Sequence, residues 1–490
     1  MSTLTALTCC VLLGITGCLA DVGSTDDDSA TGEATSASDA GQLDEIVARH
    51  GNDHNRLPNH VPVADATGVF TTVSAHGYID LDNEFFQDLG TNGRRCVTCH
   101  VPTVGWTITP RQLAVTFDAT DGGAYDDGFG LGAVFRTVDG SNSPNADVST
   151  RRKRRAAYSM LLNRGLIRVG IPIPANAEFE LIDVDDPYHF ASQAQLSLFR
   201  RPLPTTNLKF ASTVMWDGRE VVPGATVISD LLTQSSDAVV AHAQGTALDQ
   251  RQRAAIVDFT TALATAQIYD RRAGDLHASG GKGGPDQILR EPFYIGINDN
   301  FGDSKTHAAF SPIVFTLYTE WTKARGRDAA ARRSIARGEQ IFNTRPITIS
   351  GVSGINDEAV FGKPETVVGT CTTCHDSPNG GSHSIVAPLN IGLVDASRRT
   401  PDMPLYTLRN KTTGETVQVT DPGRAMIDGK WSHIGRFKGP MLRDLAPRAP
   451  YFHNGFAKDL DAVVAFYEDR FSLGLNDCEK ADLVAFLRSL

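Results

Sequence analysis

The clearest helical pattern in the chain lies at residues 331–344, where Ile335, Gly338 and Phe342 fall on one face. Apolar residues spaced three and four apart form the buried stripe of an amphipathic helix, so we predict a helix here. The shorter segment 81–90, LDNEFFQDLG, predicts a second one. Each of these segments precedes a short cysteine-containing motif.

Two further segments combine an apolar stripe with a capping pair, a side chain that caps the first turn and a Glu or Gln three residues later. Asp249 with Gln252 opens segment 248–270, and Asn476 with Glu479 opens the last segment of the chain. The expected buried stripes are Ile256, Phe259, Leu263 and Ile268 in the first, and Leu483, Phe486, Leu487 and Leu490 in the second. The chain therefore follows one plan twice: helix, motif, long loops, closing helix.

A glycine-rich stretch, ASGGKGGPDQ at 278–287, separates the two copies and is typical of a turn or linker. We place the boundary near residue 300, which predicts an N-terminal domain at 49–300 and a C-terminal domain at 301–490. The loops are long for small helical domains, so part of each must form irregular structure. The expected fold class is mainly α, with long irregular loops and few short strands.

Residues 1–18 have the pattern of an export signal, since their apolar stretch is too short to span a bilayer comfortably. The sequence ITGC at 15–18 resembles a bacterial lipobox, which implies cleavage before Cys18 and a lipid on it. A plain cleaved signal and an uncleaved anchor are the alternatives. Residues 19–48 contain many acidic and small residues and predict a disordered acidic tether. We expect a periplasmic or cell-envelope lipoprotein of a bacterium, attached to the membrane only through that lipid.

Composition adds little to this picture, because 41% hydrophobic and 21% charged residues are ordinary for a globular chain of 490 residues. The net charge of -11 argues against nucleic acid as a partner, which would need a basic face.

The two motifs are CVTCH, with Cys96, Cys99 and His100, and CTTCH, with Cys371, Cys374 and His375. Two cysteines three apart can form thioethers with haem vinyl groups, and the histidine that follows can ligate the iron. The alternatives are a thioredoxin-like dithiol, which would not need a histidine in both copies, and a four-cysteine zinc site, which would have to join motifs from two separate repeats. We therefore expect two covalently attached haem c groups, each in its own cytochrome c-like domain.

Two longer segments resemble the bacterial dihaem cytochrome c peroxidases and their relative MauG. These are GRFKGPMLRDLAPRAPYFHNGFAKDLDAVVAFY at 435–467 and RPLPTTNLKFASTVMWDGRE at 201–220. With the two haem motifs in the same order, the resemblance covers most of residues 85–490. It implies a first haem that reacts with hydrogen peroxide and a six-coordinate second haem that exchanges electrons with it.

The resemblance also implies roles for single residues. Trp216 matches a tryptophan between the haems, and Tyr467 stands where peroxidases have a methionine ligand of the second iron and MauG has tyrosine. A phenolate stabilises higher iron oxidation states than methionine does. Met426 and Met441 are rival ligands, and a core aromatic role remains open for Trp216 and for Tyr467.

His453 resembles a family histidine near the second haem's propionates, although a structural role is equally compatible. The family's distal glutamate falls near SDAVVAHAQG, where this chain offers His242 instead. His242 could act as general acid and base for O–O cleavage, ligate the iron, or be an ordinary surface or core histidine.

An interdomain Ca²⁺ of the family is a further possibility. Pro450 matches one of its carbonyl donors, but Arg201 and Arg448 replace the Asn and Thr of the family. A backbone carbonyl survives the second change, whereas the lost Asn oxygen has no substitute. The segment 117–195 is an addition relative to the compact peroxidases and could cover the first haem's open face.

The expected function is therefore an exported dihaem oxidoreductase, peroxide-reducing or MauG-like, with a small redox protein or an organic electron donor. Two other classes stay open. A dihaem electron carrier without catalysis would need both irons six-coordinate, and a haem dioxygenase of the rubber-oxygenase type would bind dioxygen at an open haem.

Overall fold

A computed structural model describes residues 39–51, 54–125, 127–128 and 130–490. The predicted signal peptide, the predicted lipid attachment site Cys18 and the first part of the predicted tether lie outside these residues. The helices of the described part are α1 (Asp39–His50), α2 (Pro110–Thr120), α3 (Arg151–Ala157), α4 (Ser159–Arg164), α5 (Val227–His242), α6 (Gln250–Ala262), α7 (Pro285–Arg290), α8 (Ala329–Thr344), α9 (Ala425–Asp428), α10 (Leu460–Phe471) and α11 (Asp477–Arg488).

The strands are short and pair only antiparallel in the described residues, in the sheet orders β1-β4, β2-β3-β8-β9, β5-β7, β13-β12-β6 and β10-β11. They are β1 (Arg56–Pro58), β2 (Val61–Ala64), β3 (Gly68–Ser74), β4 (Tyr78–Asp80), β5 (Ile167–Ile171), β6 (Phe179–Asp185), β7 (Leu196–Arg200), β8 (Leu263–Asp270), β9 (Gly274–Asp275), β10 (Ile347–Ser350), β11 (Thr366–Gly369), β12 (Leu405–Asn410) and β13 (Thr416–Val419). Helix, including 3-10 turns, accounts for 33% of the structure and strand for 17%, which is more strand than we expected.

The end of the predicted tether needs correction. We expected disorder up to residue 48, but Asp39–His50 form helix α1. Ile46 and Val47 pack against the apolar cluster that contains Phe85 and Phe259, and this burial offsets the entropy cost of ordering the segment.

The capping pair Asp249 and Gln252 is present as predicted and begins α6. The helix ends at Ala262, however, and the chain continues as β8 rather than as helix to residue 270. Strand β8 pairs with β3 along its whole length, so tertiary pairing outweighs the helical periodicity of this stretch. Segment 81–90 likewise forms only a short 3-10 turn at Glu84–Phe86.

In the C-terminal half, α8 and α11 form as the apolar stripes predicted, and Asn476 with Glu479 caps α11. The helices approach so closely at Gly338 that a Cβ atom there would lie 2.0 Å from the carbonyl oxygen of Asp482. Glycine is therefore required at this crossing, and the phenyl rings of Phe342 and Phe486 pack beside it with centroids 5.8 Å apart.

Strand β6 of the added segment pairs with β12, which follows the second motif. The described residues fall in one compact unit, and the proposed domain boundary near residue 300 stays a prediction. No helix in the described part of the chain is long and apolar enough to cross a membrane.

Candidate functional site

The first motif forms a tight 3-10 turn at Cys96–Thr98. The Cys99 amide donates to the Cys96 carbonyl over 3.2 Å, and the Thr98 hydroxyl accepts from the Arg95 amide over 3.0 Å. These bonds place the side chains of Cys96 and Cys99 on one turn.

The second motif repeats this geometry at Cys371–Thr373. The Cys374 amide donates to the Cys371 carbonyl over 3.3 Å, and the Thr373 hydroxyl accepts from the Thr370 amide over 2.9 Å. Threonine precedes the second cysteine in both motifs, and its side chain closes the same turn in each.

Both motif histidines bond to a carbonyl six residues downstream. His100 Nδ1 lies 3.4 Å from the Trp106 carbonyl and His375 Nδ1 lies 2.6 Å from that of Gly381. Since a carbonyl can only accept, Nδ1 carries the proton in each ring and Nε2 keeps its lone pair. This is the second-shell arrangement that orients histidine ligands of metals.

Burial favours the neutral form of both rings. It lowers the pKa of His100 to about 4. The hydrogen bond to Trp106 acts in the opposite direction, and nearby His242 lowers the pKa further. Burial also lowers the pKa of His375, and the bond to Gly381 opposes this. A metal ligand must be the neutral imidazole, and both histidines meet that requirement.

Both motifs line one cavity of about 460 Å³. Its walls are largely apolar and include Phe85, Leu203, Phe342 and Leu393. The motif cysteines form no disulfide, and burial raises the thiol pKa to about 12 in Cys96, Cys371 and Cys374 and to about 11 in Cys99. Protonated thiols are poor redox nucleophiles, whereas an apolar cavity with paired thiols and a neutral imidazole fits a haem at each motif.

Trp216 also lines this cavity and is held at two points. Its indole Nε1 donates to the Arg201 carbonyl over 2.8 Å, and its own carbonyl accepts from the Lys438 amide over 2.9 Å. The residue before it, Met215, has φ of 63°, a left-handed conformation that is uncommon for a large side chain. The contacts with Arg201 and Lys438 thus connect Trp216 to both segments that resemble the peroxidase family, 201–220 and 435–467.

His453 is almost fully buried and its ring stacks on Phe437 with centroids 3.9 Å apart. The Nε2 atom has no hydrogen-bond partner in the described structure and lies 3.9 Å from a carboxylate oxygen of Asp421. Burial lowers the pKa of His453 to about 4, an effect that Asp421 opposes. His453 therefore presents a neutral ring with a free polar atom at the cavity wall.

His242 ends helix α5 and lines the cavity beside the first motif. Its Nδ1 contacts a carboxylate oxygen of Asp139, and the other oxygen contacts the guanidinium of Arg94. Sequence reasoning found His242 but missed both partners. Asp139 lies 103 residues away in the added segment, and no local pattern marks it.

Tyr467 lies on α10 and lines the cavity near Cys374 and Cys371. Burial, followed by these two thiols, raises the pKa of the phenol. Within the described residues no side chain or carbonyl hydrogen-bonds to its hydroxyl. Of the rival ligands, Met441 lines the cavity, while Met426 is buried in a separate apolar cluster with Tyr406.

The region expected to hold calcium contains the buried guanidinium of Arg201. Arg201 donates to the carbonyls of Arg164 at 2.9 Å, Ile108 at 2.8 Å and Arg448 at 3.0 Å. No carboxylate among the described residues pairs with it, and burial lowers its pKa to about 10. The Arg448 carbonyl, one of the expected donors beside Pro450, is thus already bonded to a cation.

This pair of donor sets defines the class of site, since c-type haem needs two thiols and an adjacent imidazole. The chain is similar to curated proteins named cytochrome-c peroxidase IdrP2. It is 33% identical over 132 residues to the one from Denitromonas iodatirespirans and 31% identical over 130 residues to the one from Pseudomonas sp. (strain SCT). These matches cover 25% and 24% of this chain and 36% and 35% of the relatives.

No family model matches the chain. Among solved structures, a MauG-like protein associated with microbial copper homeostasis shares 14% identity at a TM-score of 0.31, over 61% of this chain and 77% of that one. Both values are too low to establish a common fold.

Proposed function

We propose that this protein is a c-type haem oxidoreductase that reduces peroxide, with one haem at each motif. The observation that carries the proposal is that two turns of the same geometry, each with paired thiols and a carbonyl-fixed neutral histidine, open into one largely apolar cavity. The similarity to cytochrome-c peroxidases over a quarter of the chain supports it.

Cys96 and Cys99 would hold the first haem by thioethers and Cys371 and Cys374 the second, with His100 and His375 as ligands to iron. When bound, the haem iron supplies the one-electron redox chemistry. Lys438 adds a half-buried ammonium to the cavity wall, where it donates a hydrogen bond to the Thr213 carbonyl over 2.9 Å. A carboxylate group at that wall would be stabilised by this charge.

We assign the proton steps to His242, because its Nε2 is the nitrogen left free by Asp139. It would take a proton from peroxide and return it to the oxygen that leaves as water, while the electrons for cleavage of the O–O bond would come from the bound haem. Trp216 offers an aromatic side chain through which an electron passes between the halves, and Tyr467 is proposed as a ligand to the second iron. The resemblance to MauG implies a second form of this function, in which a protein or organic substrate is oxidised. A tyrosine ligand at position 467 favours that form, because a phenolate stabilises higher iron oxidation states.

We further propose two cytochrome c-like haem domains, export as a lipoprotein and an electron donor that is a small redox protein. At the expected calcium region we propose that the Arg201 guanidinium serves as the cation. Its three carbonyl contacts support this assignment, because carbonyl oxygens are also the ligands that Ca²⁺ takes.

An electron carrier without catalysis is the second candidate. It is favoured by one observation, that a potential ligand stands at each motif, His242 near the first and Tyr467 near the second. If both ligate iron, no position remains for peroxide.

The test is a stopped-flow optical titration of the holoprotein with hydrogen peroxide, with and without a reduced small cytochrome. A peroxidase changes its spectrum on mixing and turns the cytochrome over. His242→Gln should slow this by about 100-fold or more, because a general base contributes about that factor. The control is His433→Gln, a histidine that also pairs with an aspartate but does not line the cavity. A wild-type protein that shows no response to peroxide in the oxidised or half-reduced state rules out the peroxidase and leaves the carrier.

A further inference from the structure

A row of three charged or polar side chains, Arg94, Asp139 and His242, backs the cavity wall beside the first motif. Asp139 is buried, and its two carboxylate oxygens contact different partners, Arg94 on one side and His242 Nδ1 on the other. The side chain of His242 is 36% exposed, against 9% for Asp139. The histidine is therefore the end of the row that reaches open space.

The row is fixed to the backbone at its Arg94 end. Arg94 donates to the Ala133 carbonyl over 2.9 Å and to the Val134 carbonyl over 3.1 Å. It also donates to the carbonyl of His242 over 3.2 Å, at the end of helix α5. Because these bonds hold the guanidinium of Arg94 in place, its ion pair with Asp139 fixes the position of the carboxylate.

The carboxylate of Asp139 is ionised in this setting. Burial alone would raise its pKa, but the charge of Arg94 and the bond from His242 outweigh burial and hold the pKa below its ordinary value. A carboxylate accepts and cannot donate, so the proton of the pair stays on Nδ1 of His242. Nε2 is then the basic nitrogen of the ring.

We infer that Asp139 is a positioning residue, which fixes the tautomer and orientation of His242 so that Nε2 remains the proton acceptor at the first motif. This inference rests on the proposed function of His242. The proton that Nε2 takes from an incoming acid is the one it later returns, and the Nδ1 proton stays on the His242–Asp139 bond. Asp139 belongs to the segment 117–195, so the added segment contributes to the site and does not merely cover it.

The chain contains a matched control for this arrangement. Asp428 accepts from His433 Nδ1 over 2.7 Å and from Arg424 Nε over 3.1 Å. This second Arg–Asp–His row does not line the cavity. Asp428→Asn therefore makes the same chemical change as Asp139→Asn at a place where no proton transfer is proposed.

The experiment measures cyanide binding by the holoprotein, since hydrogen cyanide must lose its proton to bind haem iron as the anion. We expect Asp139→Asn to slow cyanide association by about 10-fold or more and His242→Gln by about 100-fold, on the scale of a lost general base. The double variant should match His242→Gln alone, because Asp139 acts only through the histidine. Asp428→Asn should stay within about twofold of the wild type.

Three results would overturn the inference: an unchanged rate in Asp139→Asn, an Asp139→Asn effect that persists in the His242→Gln background, or cyanide association that becomes faster when His242 is removed. The last would mean that His242 ligates the iron. Asp139→Glu keeps the charge and should retain more of the rate than Asp139→Asn. If Asp139→Asn does not fold, the test uses Asp139→Glu and His242→Gln. The proposal is then rejected if both variants bind cyanide at the wild-type rate. If the variants show the expected cyanide association rates but the wild-type protein does not turn over peroxide, the peroxidase proposal is refuted and the role of Asp139 stands.

Discussion

His375 and Gly381 are joined by a 2.6 Å hydrogen bond from the imidazole Nδ1 to the carbonyl oxygen, and the two residues are six positions apart. His100 makes the corresponding bond to Trp106 at the same separation. The repeat in the sequence is therefore more than five letters long, because the loop that follows each motif also returns to orient its histidine. Such a bond fixes which nitrogen of a histidine ligand faces a metal, so the two loops orient the imidazoles of His100 and His375 in the same way.

Substitution of Tyr467 tests the ligand that we propose for the iron at the second motif. If its phenolate binds iron, Tyr467→Phe should abolish the phenolate charge-transfer band and raise the reduction potential of one haem by on the order of 100 mV, since axial ligands move haem potentials over a range of about 0.8 V. Spectroelectrochemical titration measures both. Tyr451→Phe is the control, because Tyr451 also lines the cavity but its hydroxyl donates to the Leu445 carbonyl over 2.8 Å. An unchanged band and potential in Tyr467→Phe would exclude it as a ligand.

Local signals predicted what is local in this structure. The capping pairs of α6 and α11 lie within one helical turn, and both formed as expected. Strand β8 was mistaken for helix because its partner β3 lies almost 200 residues earlier, as the Thr72–Thr265 contact illustrates. The haem-binding role of the motif cysteines and histidines is a prediction from spacing alone. Asp139 could not be predicted in this way, because it meets His242 only through the fold.

Gly338 should not tolerate a side chain. Alanine is about 1 kcal/mol better than glycine inside a helix, but a Cβ at 2.0 Å from the Asp482 carbonyl oxygen would force α8 and α11 apart. We expect Gly338→Ala to destabilise the protein by about 2–4 kcal/mol, since overpacking and the loss of the packed interface act together. Chemical denaturation followed by circular dichroism measures this. Gln340→Ala, at an exposed site on the same helix, should change stability by less than about 0.5 kcal/mol.

Asp217 should make stability depend on pH in acid. Burial would raise its pKa, but the charges of Arg200 and Arg219 outweigh burial and hold the pKa below the ordinary value. A carboxyl with a lowered pKa in the folded state contributes stability above its unfolded pKa of about 4, and this contribution is lost as the pH falls further. Asp217→Asn should therefore cost about 3–5 kcal/mol near pH 7, the range for breaking a buried pair.

Thermal unfolding at several pH values tests this prediction. The melting temperatures of wild type and Asp217→Asn should differ most near pH 7 and converge below about pH 4. Asp258→Asn is the control, because the side chain of Asp258 is 72% exposed and pairs only with an exposed histidine. A gap between wild type and Asp217→Asn that stays constant from pH 7 to pH 3 would show that ionisation of Asp217 does not stabilise the fold.

Substitution of Arg201 tests whether the cation in the expected calcium region is its own guanidinium or a bound metal ion. If its guanidinium occupies the place of calcium, an excess of chelator should leave the melting temperature of the wild type unchanged. Arg201→Asn removes three bonds to buried carbonyls and should cost about 2–4 kcal/mol. It also restores the oxygen donor that calcium needs, so added Ca²⁺ should recover part of the loss. Arg168→Asn is the matched control, since Arg168 is buried and donates to the Val138 carbonyl, yet calcium should not rescue it. A wild type that loses stability in chelator would show instead that a metal ion is present and that Arg201 does not replace it.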